Sequence, residues 1–370
     1  MHALVAILMP AGDAFVDQLR RAWDSGDAVL PVDTRLPETL VAQLLDTLAP
    51  AYVIDATGDR HARPAHRPVA PGDALVVATS GTTGVPKGVV LTHDAVLASA
   101  RATSARLAID PARHRWLCCL PIAHIGGLSV ITRALLTDTP LDMHRGFDAV
   151  AVQRAAQDGA THTSLVSAAL ARIDPTHFER ILLGGSAAPP QMPANCTLTY
   201  GMTETGSGIW YDNAALDGVE IVVRDDEILV RAPMLLRAYR HAATDTDPRN
   251  AEGWFPTGDA GAITDDGQLV VHGRRGNVIV TGGEKVWPEA VERVLAEHPA
   301  VADVLVYGIA DPHWGQRVIA RVVPTSAVEP PSVDALRAYA RDRLAPYALP
   351  RAVEFVSALE RTVLGKLRRL

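Results

Sequence analysis

The sequence predicts an α/β protein: a large N-terminal domain with mostly parallel sheets and a small antiparallel subdomain, then a small α+β C-terminal domain. Short apolar segments alternate with helix-period segments through about the first two-thirds of the chain, as in a parallel sheet covered by helices. After Tyr211 two alternating segments flank a polar turn, which indicates an antiparallel hairpin. A polar, glycine-rich break at residues 273–277 precedes a compact helix–strand pattern, so we place a domain hinge there.

Each element of the large domain rests on a local pattern. The predicted strands are short apolar runs, and they are residues 74–79, 116–120, 163–166, 181–183 and 197–200. The predicted helices repeat apolar residues at the helical period, and they are residues 93–107 and 147–158. The hairpin strands are residues 219–223 and 227–231, and a further short strand occupies residues 267–272.

The C-terminal part alternates helices and strands over short distances. Pro288 and Ser332 mark the starts of two helices, because proline suits the first helical turn and serine caps a helix. The helices are predicted over residues 288–298 and 332–344, and the strands over residues 300–307, 317–323 and 352–356. The predicted domains are residues 1–273 and 278–370, with residues 274–277 as the hinge between them.

Composition argues against several classes of protein. The chain has 370 residues, of which 48% are hydrophobic, enough to bury a sizeable core. Its net charge of −7 argues against a nucleic-acid-binding protein, which would need a basic face. The N-terminus lacks the basic region of a signal peptide, and no apolar run reaches the roughly 20 residues that span a bilayer. We therefore expect a soluble cytoplasmic protein with neither nucleic acid nor membrane as a partner.

The three cysteines are Cys118, Cys119 and Cys196. Neighbours in a strand point to opposite faces, so Cys118 and Cys119 cannot jointly hold a metal ion in the usual C-x-x-C manner. We expect all three to be reduced, small buried side chains.

A glycine- and hydroxyl-rich loop is the strongest chemical signal in the sequence. It consists of Thr79, Ser80, Gly81, Thr82, Thr83, Gly84, Val85, Pro86, Lys87 and Gly88. Glycines bring backbone N–H groups close to a polyanion, hydroxyls add donors, and Lys87 adds positive charge. The loop follows a predicted strand, and we expect a helix after it, which is the context of a phosphate-binding loop.

From this loop onward the chain resembles the acyl-adenylate-forming family of acyl-CoA synthetases, peptide-synthetase adenylation domains and luciferases. Residues 200–204, YGMTE, resemble the YGxTE motif of that family. The resemblance implies that Glu204 binds Mg²⁺ beside the phosphates of ATP, and that Thr203 donates its hydroxyl to the α-phosphate. It also implies that Tyr200 offers a flat ring to adenine and that Gly201 borders both the nucleotide and the acid.

Two further motifs resemble nucleotide-binding segments of the family. Residues 254–259, WFPTGD, match W-x-x-T-G-D, which implies that Asp259 accepts hydrogen bonds from both ribose hydroxyls. Arg274, in a following Gly-Arg pair, is then expected at the ribose as well. The segment Gly184, Gly185, Ser186 resembles a glycine-rich stretch that lines the adenine and acyl pockets.

The resemblance assigns two more residues to catalysis. Residues 121–128, PIAHIGGL, resemble P-x-x-H-x-x-G-L, which implies that His124 lies near the reacting carboxylate. Lys366 lies in a segment similar to L-P-R-T-x-x-G-K, with Glu360 in place of the proline. In the family this lysine stabilises negative charge as the acid attacks the α-phosphate.

A last motif concerns the binding of CoA, the thiol that accepts the acyl group. Residues 282–289, GGEKVWPE, resemble the G-G-E-x-x-x-P-x-E segment, which implies that Gly282, Gly283 and Glu284 border the pantetheine arm of CoA. This loop and Lys366 lie on different faces of the small domain in the family, so the C-terminal domain is expected to be mobile and to exchange them by rotation. Gly276 stands where the family usually has Asp, Lys or Ser, and would loosen that hinge.

The region before residue 70 is shorter than in most family members, as in the actinobacterial o-succinylbenzoate–CoA ligases of menaquinone biosynthesis, which the chain resembles. The expected reaction consumes ATP with Mg²⁺, activates the acid as an acyl-adenylate and transfers it to CoA. The o-succinylbenzoate substrate of those ligases has a second carboxylate, which is not activated. When it is desolvated, this carboxylate needs a hydrogen-bond donor or a positive charge beside it. The candidate residues are His162, Ser164, Arg172 and Ser207, beside His124 and Gly201 in the acid pocket.

Other interpretations stay open at this point. The substrate could be a different aryl or acyl acid, or the chain could be a nucleotide-binding module without turnover. A carrier-loading adenylation domain has less support, since no carrier domain follows. The oligomeric state, for which a homodimer is one alternative, is not determined by the sequence.

Overall fold

The computed structural model describes residues 2–80, 86–185, 191–327 and 330–360. The chain forms two compact units. The first comprises Met1–Ile221 and Val230–Phe255, and the second comprises Val222–Leu229 and Pro256–Leu370. The second unit thus includes residues on both sides of the predicted hinge, and the boundary at residue 273 stays a prediction.

The strands and helices alternate along most of the chain. The first thirteen strands are β1 (Leu4–Ile7), β2 (Ala28–Pro31), β3 (Tyr52–Ile54), β4 (Arg60–Ala62), β5 (Asp73–Ser80), β6 (Pro86–Thr92), β7 (Trp116–Cys118), β8 (Leu141–Met143), β9 (His162–Leu165), β10 (Arg180–Leu183), β11 (Cys196–Met202), β12 (Ser207–Tyr211) and β13 (Ala214–Ala215). The later strands are β14 (Glu220–Arg224), β15 (Glu227–Arg231), β16 (Ala238–Arg240), β17 (Asp245–Thr246), β18 (Phe255–Ile263), β19 (Leu269–Arg274), β20 (Ile279–Thr281), β21 (Glu284–Val286), β22 (Val301–Asp311), β23 (Gly315–Pro324) and β24 (Ala352–Phe355). The helices are α1 (Asp13–Asp24), α2 (Glu38–Leu48), α3 (His93–Arg106), α4 (Ile125–Leu136), α5 (Ala149–Gln157), α6 (Ser167–Leu170), α7 (Pro288–Ala296) and α8 (Val333–Arg341).

The first unit is built on two large sheets. One has eight strands in the order β17-β16-β6-β5-β2-β1-β3-β4, and the other has seven in the order β13-β12-β11-β10-β9-β7-β8. The seven-stranded sheet is parallel from β8 to β11 and antiparallel at β12 and β13. The eight-stranded sheet is parallel only among β3, β1, β2 and β5. The α/β class is therefore confirmed, with sheets of mixed orientation.

Helices cover these sheets through apolar faces. Val152 of α5 is fully buried with Leu117, Ile181 and Leu183 of the seven-stranded sheet. The hydroxyl of Thr92 accepts a hydrogen bond from the Ala95 backbone N at 3.2 Å, so it caps the start of α3. Helix α3 confirms the helix predicted from residue 93. None of the helices in the described part of the chain is long and apolar enough to cross a membrane.

The second unit contains the C-terminal helices and a smaller sheet. That sheet has the order β21-β20-β23-β22, and β24 pairs with β23. Helices α7 and α8 bury Leu295 and Leu336 in one apolar core with Val306 and Val322 of the sheet. Ser332 caps α8 as predicted, accepting a hydrogen bond from the Ala335 backbone N at 3.0 Å. A four-stranded sheet has the order β14-β15-β18-β19.

An ion-pair cluster around the buried Asp73 of β5 links this strand to the residues beside β16 and to β17. Arg237 donates from Nε and Nη2 to the two carboxylate oxygens of Asp73 at 2.7 and 2.9 Å. Its Nη2 also donates to Asp245 at 2.8 Å. These hydrogen bonds, that to Asp73 first, raise the pKa of Arg237 above its ordinary value. The Asp73 carboxylate is only 1% exposed, so its charge depends on this partner.

Replacing Arg237 with methionine should lower the free energy of unfolding by about 3 kcal/mol, since Asp73 would be left charged and buried without its partner. Urea unfolding followed by tryptophan fluorescence measures this. Arg249→Met removes an exposed pair with Asp247 and should cost less than about 0.5 kcal/mol. Equal losses in the two variants would contradict a structural role for the buried cluster.

Candidate active site

The phosphate-loop candidate lies between two paired strands. Strands β5 and β6 are antiparallel, with Thr79 opposite Lys87 and Ser80 opposite Pro86. The predicted loop residues Gly81, Thr82, Thr83 and Gly84 lie outside the described residues. A helix follows the loop as expected, and strand β6 comes between the loop and α3. Residues 89–91 are apolar, β-branched in part and at most 1% exposed, which favours a buried strand over a helix.

Lys87 belongs to a compact polar cluster in the first unit. Its Nζ lies 3.8 Å from Oε1 of Glu204 and 3.5 Å from the centre of the Tyr239 ring. The Tyr239 hydroxyl donates to the same Oε1 of Glu204 at 2.8 Å. The structure thus brings together the lysine of the loop and the predicted metal ligand. Tyr239, on β16, was missed because no motif adjoins it in the sequence.

The carboxylate of Glu204 is presented by a 3₁₀ turn, Thr203–Thr205. The buried Thr205 hydroxyl accepts from the Met202 backbone N at 2.9 Å and lies 2.6 Å from the Ser207 carbonyl oxygen, to which it donates. Gly206 has a φ of 67°, which lets the chain reverse immediately after the turn. Thr203 and Glu204 are consequently both part-exposed on a short, hydrogen-bonded turn.

Gly201 occupies a position where two strands come very close. It lies opposite Gly208 on β12, with a register irregularity between Tyr200 and Gly201. A Cβ on Gly201 would lie 2.2 Å from the Ser207 carbonyl oxygen and 2.6 Å from the Gly208 Cα. Only glycine fits this backbone approach. The irregularity sets Tyr200 and Gly201 at the start of the turn that carries Glu204.

His124 lies at the N-terminus of α4, where its carbonyl oxygen accepts from Leu128 N at 2.9 Å. Its Nε2 is 4.0 Å from Oδ2 of Asp33, the second residue after the end of β2. The hydrogen bond from Arg35 is the main reason that the pKa of Asp33 lies below its ordinary value, and His124 contributes. Asp33 is therefore a fixed negative charge beside His124. Sequence reasoning missed it, although its place just after a parallel strand is a signal.

Other predicted residues follow the parallel strands of the seven-stranded sheet. Ser164 lies in β9, and Gly184 and Gly185 come directly after β10. A Cβ on Gly184 would lie 2.7 Å from the Thr199 hydroxyl, and Gly185 has a φ of 75°. The carboxyl ends of parallel strands form the usual ligand-binding edge of such a sheet. Ser186 lies outside the described residues.

Three candidates for the acid's second carboxylate have different surroundings. Ser207 receives a hydrogen bond from Arg133 Nη2 at 3.3 Å, and Arg133 was not among the predicted residues. Burial lowers the pKa of His162 to about 4, so this imidazole is neutral at pH 7. Arg172 is exposed, with its guanidinium 5.1 Å from the centre of the Phe147 ring.

In the second unit, Asp259 and Arg274 lie opposite each other on β18 and β19. Arg274 Nε is 3.1 Å from Asp259 Oδ1, and its Nη1 donates to the Thr257 carbonyl oxygen at 2.8 Å. The Thr257 hydroxyl accepts from the Asp259 backbone N at 3.0 Å. The two predicted ribose ligands are therefore adjacent, with Asp259 7% exposed.

The predicted CoA segment forms a two-residue hairpin between β20 and β21. Gly282 and Gly283 have φ values of 61° and 85°, as a type I′ turn requires. A Cβ on Gly282 would lie 2.9 Å from the Trp314 ring, whereas one on Gly283 would meet nothing within 4 Å. Glu284 starts β21 and is exposed. The role of these residues in CoA binding stays a prediction, and Lys366 lies outside the described residues.

Two sequence comparisons identify the class of protein that this fold and site define. The family model of AMP-binding enzymes matches residues 25–311, and the model of the AMP-binding enzyme C-terminal domain matches residues 290–366. The chain belongs to the AMP-binding enzyme family. This confirms the resemblance to acyl-adenylate-forming enzymes.

Two relatives of this chain share one activity in their names. A probable 2-succinylbenzoate–CoA ligase of Mycobacterium tuberculosis is 40% identical over 320 residues, covering 80% of this chain and 82% of the relative. A 2-succinylbenzoate–CoA ligase of Listeria monocytogenes is 33% identical, covering 80% of this chain and 68% of the relative.

A solved structure extends the similarity to nearly the whole chain. The o-succinylbenzoate CoA synthetase of Bacillus subtilis, in complex with its acyl-adenylate intermediate, has a TM-score of 0.86 and 27% identity. The match covers 98% of this chain and 86% of that chain. The same enzyme has also been solved with ATP and a magnesium ion.

Proposed function

We propose that this chain is an AMP-forming o-succinylbenzoate–CoA ligase of menaquinone biosynthesis. The acid carboxylate attacks the α-phosphorus of ATP, which forms the acyl-adenylate and releases pyrophosphate. The thiol of CoA then attacks the acyl carbon, forms the thioester and releases AMP. The observation that carries the proposal is the Lys87–Glu204–Tyr239 cluster, in which the loop lysine and the acidic residue of YGMTE meet.

The residues of this cluster fit a magnesium ion bound together with ATP. Mg²⁺ commonly takes one or two protein carboxylates and completes its shell with phosphates and water. Glu204 supplies one such carboxylate on a hydrogen-bonded turn. Among the described residues, no three or more His, Cys, Asp or Glu side chains are grouped so that they could hold a metal ion by themselves. When bound, the ion would neutralise phosphate charge.

The remaining residues bind and orient the reactants. Lys87 is placed to exchange its contact with Glu204 for one with a phosphate oxygen, and the Thr203 hydroxyl is available to the α-phosphate. His124, next to the fixed charge of Asp33, borders the acid. The lysine at position 366 supplies positive charge during adenylation. Positioning and charge stabilisation account for most of the acceleration in such reactions.

The choice of acid is supported by the relatives, which are named for one substrate at 33–40% identity. The test is pyrophosphate release by the purified protein with ATP and Mg²⁺ over a panel of o-succinylbenzoate, benzoates and fatty acids. We expect the highest kcat/KM with o-succinylbenzoate. A higher kcat/KM with another acid would change the proposed substrate but leave the proposed enzyme class unaltered.

A second measurement separates a ligase from a nucleotide-binding module without turnover. With CoA present, AMP and acyl-CoA should accumulate in equal amounts over many turnovers. Without CoA, pyrophosphate release should stop after about one equivalent of enzyme-bound acyl-adenylate. ATP binding without pyrophosphate release for any acid would overturn the proposed activity.

Asp259→Ala should raise the KM for ATP about tenfold with a smaller effect on kcat, because Asp259 is proposed to accept hydrogen bonds from the ribose. Initial rates against ATP concentration at saturating acid measure this. Asp265→Ala changes an exposed turn residue that follows the same strand and serves as the control. Equal KM values for the two variants would contradict the ribose assignment.

Three further expectations belong to this proposal. Location in the cytoplasm suits an enzyme that consumes ATP and CoA, and the three cysteines are free and buried, as expected. Rotation of residues 278–370 about the hinge at 274–277 would bring Lys366 and the loop at residues 282–284 in turn to the reacting groups. A homodimer stays an alternative to the monomer, and light scattering distinguishes them.

A further inference from the structure

Tyr239 is a residue to which neither the sequence motifs nor the proposed mechanism assigns a role. It lies on β16, and its hydroxyl donates a hydrogen bond to Oε1 of Glu204 at 2.8 Å. The centre of its ring lies 3.5 Å from Nζ of Lys87. One side chain therefore contacts both the predicted metal ligand and the lysine of the phosphate-loop candidate, the first through its hydroxyl and the second through its aromatic face.

Lys87 and Glu204 form an ion pair without a direct hydrogen bond between them. Nζ of Lys87 lies 3.8 Å from Oε1 of Glu204, whereas a hydrogen bond between two such charged groups is about 2.7–2.9 Å long. The face of an aromatic ring attracts a cation, and a phenol hydroxyl is a donor to a carboxylate. Tyr239 thus stabilises each of the two charges separately, so that neither depends on the other for its main contact.

The two carboxylate oxygens of Glu204 have different surroundings. The Tyr239 hydroxyl and the Lys87 ammonium group both contact Oε1. In the part of the chain that the structure describes, no residue makes a hydrogen bond or an ion pair with Oε2. Mg²⁺ commonly takes one or two carboxylate oxygens from a protein and completes its shell with phosphate and water oxygens. The hydrogen bond from Tyr239 to Oε1 therefore leaves Oε2 available to a metal ion.

The strand that carries Tyr239 is held firmly in place. Tyr239 lies opposite Val89 of β6 on one side and opposite Thr246 of β17 on the other. The next residue, Arg240, is 1% exposed, and its guanidinium donates to four backbone carbonyl oxygens, including that of Leu48 at 2.8 Å. Strand β16 is therefore anchored at both of its edges and at the residue that follows Tyr239.

The segment that leads into β16 also holds the backbone of the Glu204 turn. The Leu236 backbone N donates to the Glu204 carbonyl oxygen at 2.8 Å. One short stretch of sequence, from Leu236 to Tyr239, thus binds both the main chain and the side chain of Glu204. Carboxylates that bind metal ions are commonly oriented by an outer hydrogen bond of this kind, and its loss typically lowers metal affinity about 10- to 100-fold.

We infer that Tyr239 is a positioning residue that keeps Glu204 ready to bind Mg²⁺ and Lys87 ready to bind a phosphate group. The inference rests on the proposed function and adds a residue that none of the motifs contains. The hydroxyl fixes Oε1 of Glu204, and the ring holds the ammonium group of Lys87 until a phosphate oxygen replaces it. Without the hydroxyl, Lys87 would donate directly to Glu204, and this hydrogen bond would have to break before either group met the nucleotide.

The test measures ATP binding by calorimetry, once with excess Mg²⁺ and once with EDTA, in the absence of acid and CoA. The dissociation constant with EDTA divided by that with Mg²⁺ is the metal ratio, and it requires no turnover. Tyr239→Phe keeps the ring and removes the hydroxyl. It should lower the metal ratio about tenfold, while the dissociation constant with EDTA changes less than about twofold.

A second variant and a matched control accompany this measurement. Tyr239→Leu also removes the ring, so ATP binding with EDTA should weaken by a further factor of about three, because the Lys87 ammonium group loses its aromatic contact. Tyr211→Phe is the control, since it removes another tyrosine hydroxyl of the same unit, one that lies 3.1 Å from the Thr103 hydroxyl. Tyr211 is 2% exposed, and its loss of a hydrogen bond should lower the thermal unfolding midpoint while the metal ratio changes less than about twofold.

The possible outcomes separate the inference from the function on which it rests. If the unaltered protein binds ATP equally well with Mg²⁺ and with EDTA, metal binding by Glu204 and this inference are overturned together. If Mg²⁺ strengthens binding and Tyr239→Phe has the same metal ratio as the unaltered protein, the inference alone is overturned. This includes equal weakening under both conditions, which would show a purely structural role. Absence of pyrophosphate release with every acid would overturn the proposed activity, whereas the binding measurement would still decide the role of Tyr239.

Discussion

Glu204→Gln should lower kcat/KM for pyrophosphate release about 100-fold and raise the Mg²⁺ concentration needed for half-maximal rate. The substitution keeps the size of the side chain and an oxygen that can accept from Tyr239. It removes the negative charge that lies 3.8 Å from Lys87. Rates at saturating acid, measured across a Mg²⁺ series at fixed ATP, give both quantities. The unfolding midpoint should change little, because the turn is held by Thr205 rather than by the carboxylate.

The control for this variant is Glu220→Gln, which neutralises an exposed glutamate paired with Arg231 on the surface. Its kcat/KM should stay within twofold, because surface ion pairs contribute little. Glu204→Gln could instead lower activity without any change in its Mg²⁺ dependence. In that case the carboxylate would act only by positioning Lys87 of the glycine- and hydroxyl-rich loop. That result would refute metal binding by Glu204.

Local patterns in the sequence were sufficient to predict the elements in which those patterns occur. The helix after Thr92 was predicted from its helical period and the helix after Ser332 from its serine cap, and both signals need only neighbouring residues. The hairpin at Gly282 and Gly283 was not predicted, although two consecutive glycines are a local signal for its turn and both have positive φ. In each case the physical cause lies within a few residues along the chain.

Contacts between distant segments could not be predicted in the same way. Strand β6 was not predicted, and its pairing with β5 and β16 decides its conformation. Tyr239 reaches Glu204 across 35 positions in the sequence. Arg133 carries no motif at all, and only its burial distinguishes it from an ordinary exposed arginine of a helix.

The residues of the site show the same difference between local sequence signals and contacts between distant segments. The composition of the loop indicated Lys87 and the resemblance to the family indicated Glu204, and the structure brings the two side chains together. Ser207 was also a candidate from the sequence, but its chemistry depends on the side chain that contacts its hydroxyl. The partner of Ser207 is an arginine 74 positions away, so the chemistry of this position follows from the packing of α4 against β12.

Gly201→Ala should lower pyrophosphate release at least about 100-fold while leaving most of the fold intact. The added Cβ would lie 2.2 Å from the Ser207 carbonyl oxygen and 2.6 Å from the Gly208 Cα, and both are backbone atoms of the neighbouring strand. Backbone cannot rotate away as a side chain can, so β11 and β12 must separate. Overpacking of this kind costs about 1–3 kcal/mol when the surroundings adjust, which should appear as a lower unfolding midpoint.

The loss of activity should exceed the loss of stability because the same backbone carries the site. The Ser207 carbonyl oxygen accepts from Thr205 at 2.6 Å, and Thr205 sets the turn that presents Glu204. Moving Ser207 therefore displaces the metal-ligand candidate and the contact with Arg133 together. Gly146→Ala, where an added Cβ meets nothing within 4 Å, should have no effect on either quantity. Full activity of Gly201→Ala would show that the two strands separate freely, and that the narrow approach at Gly201 does not hold the site in place.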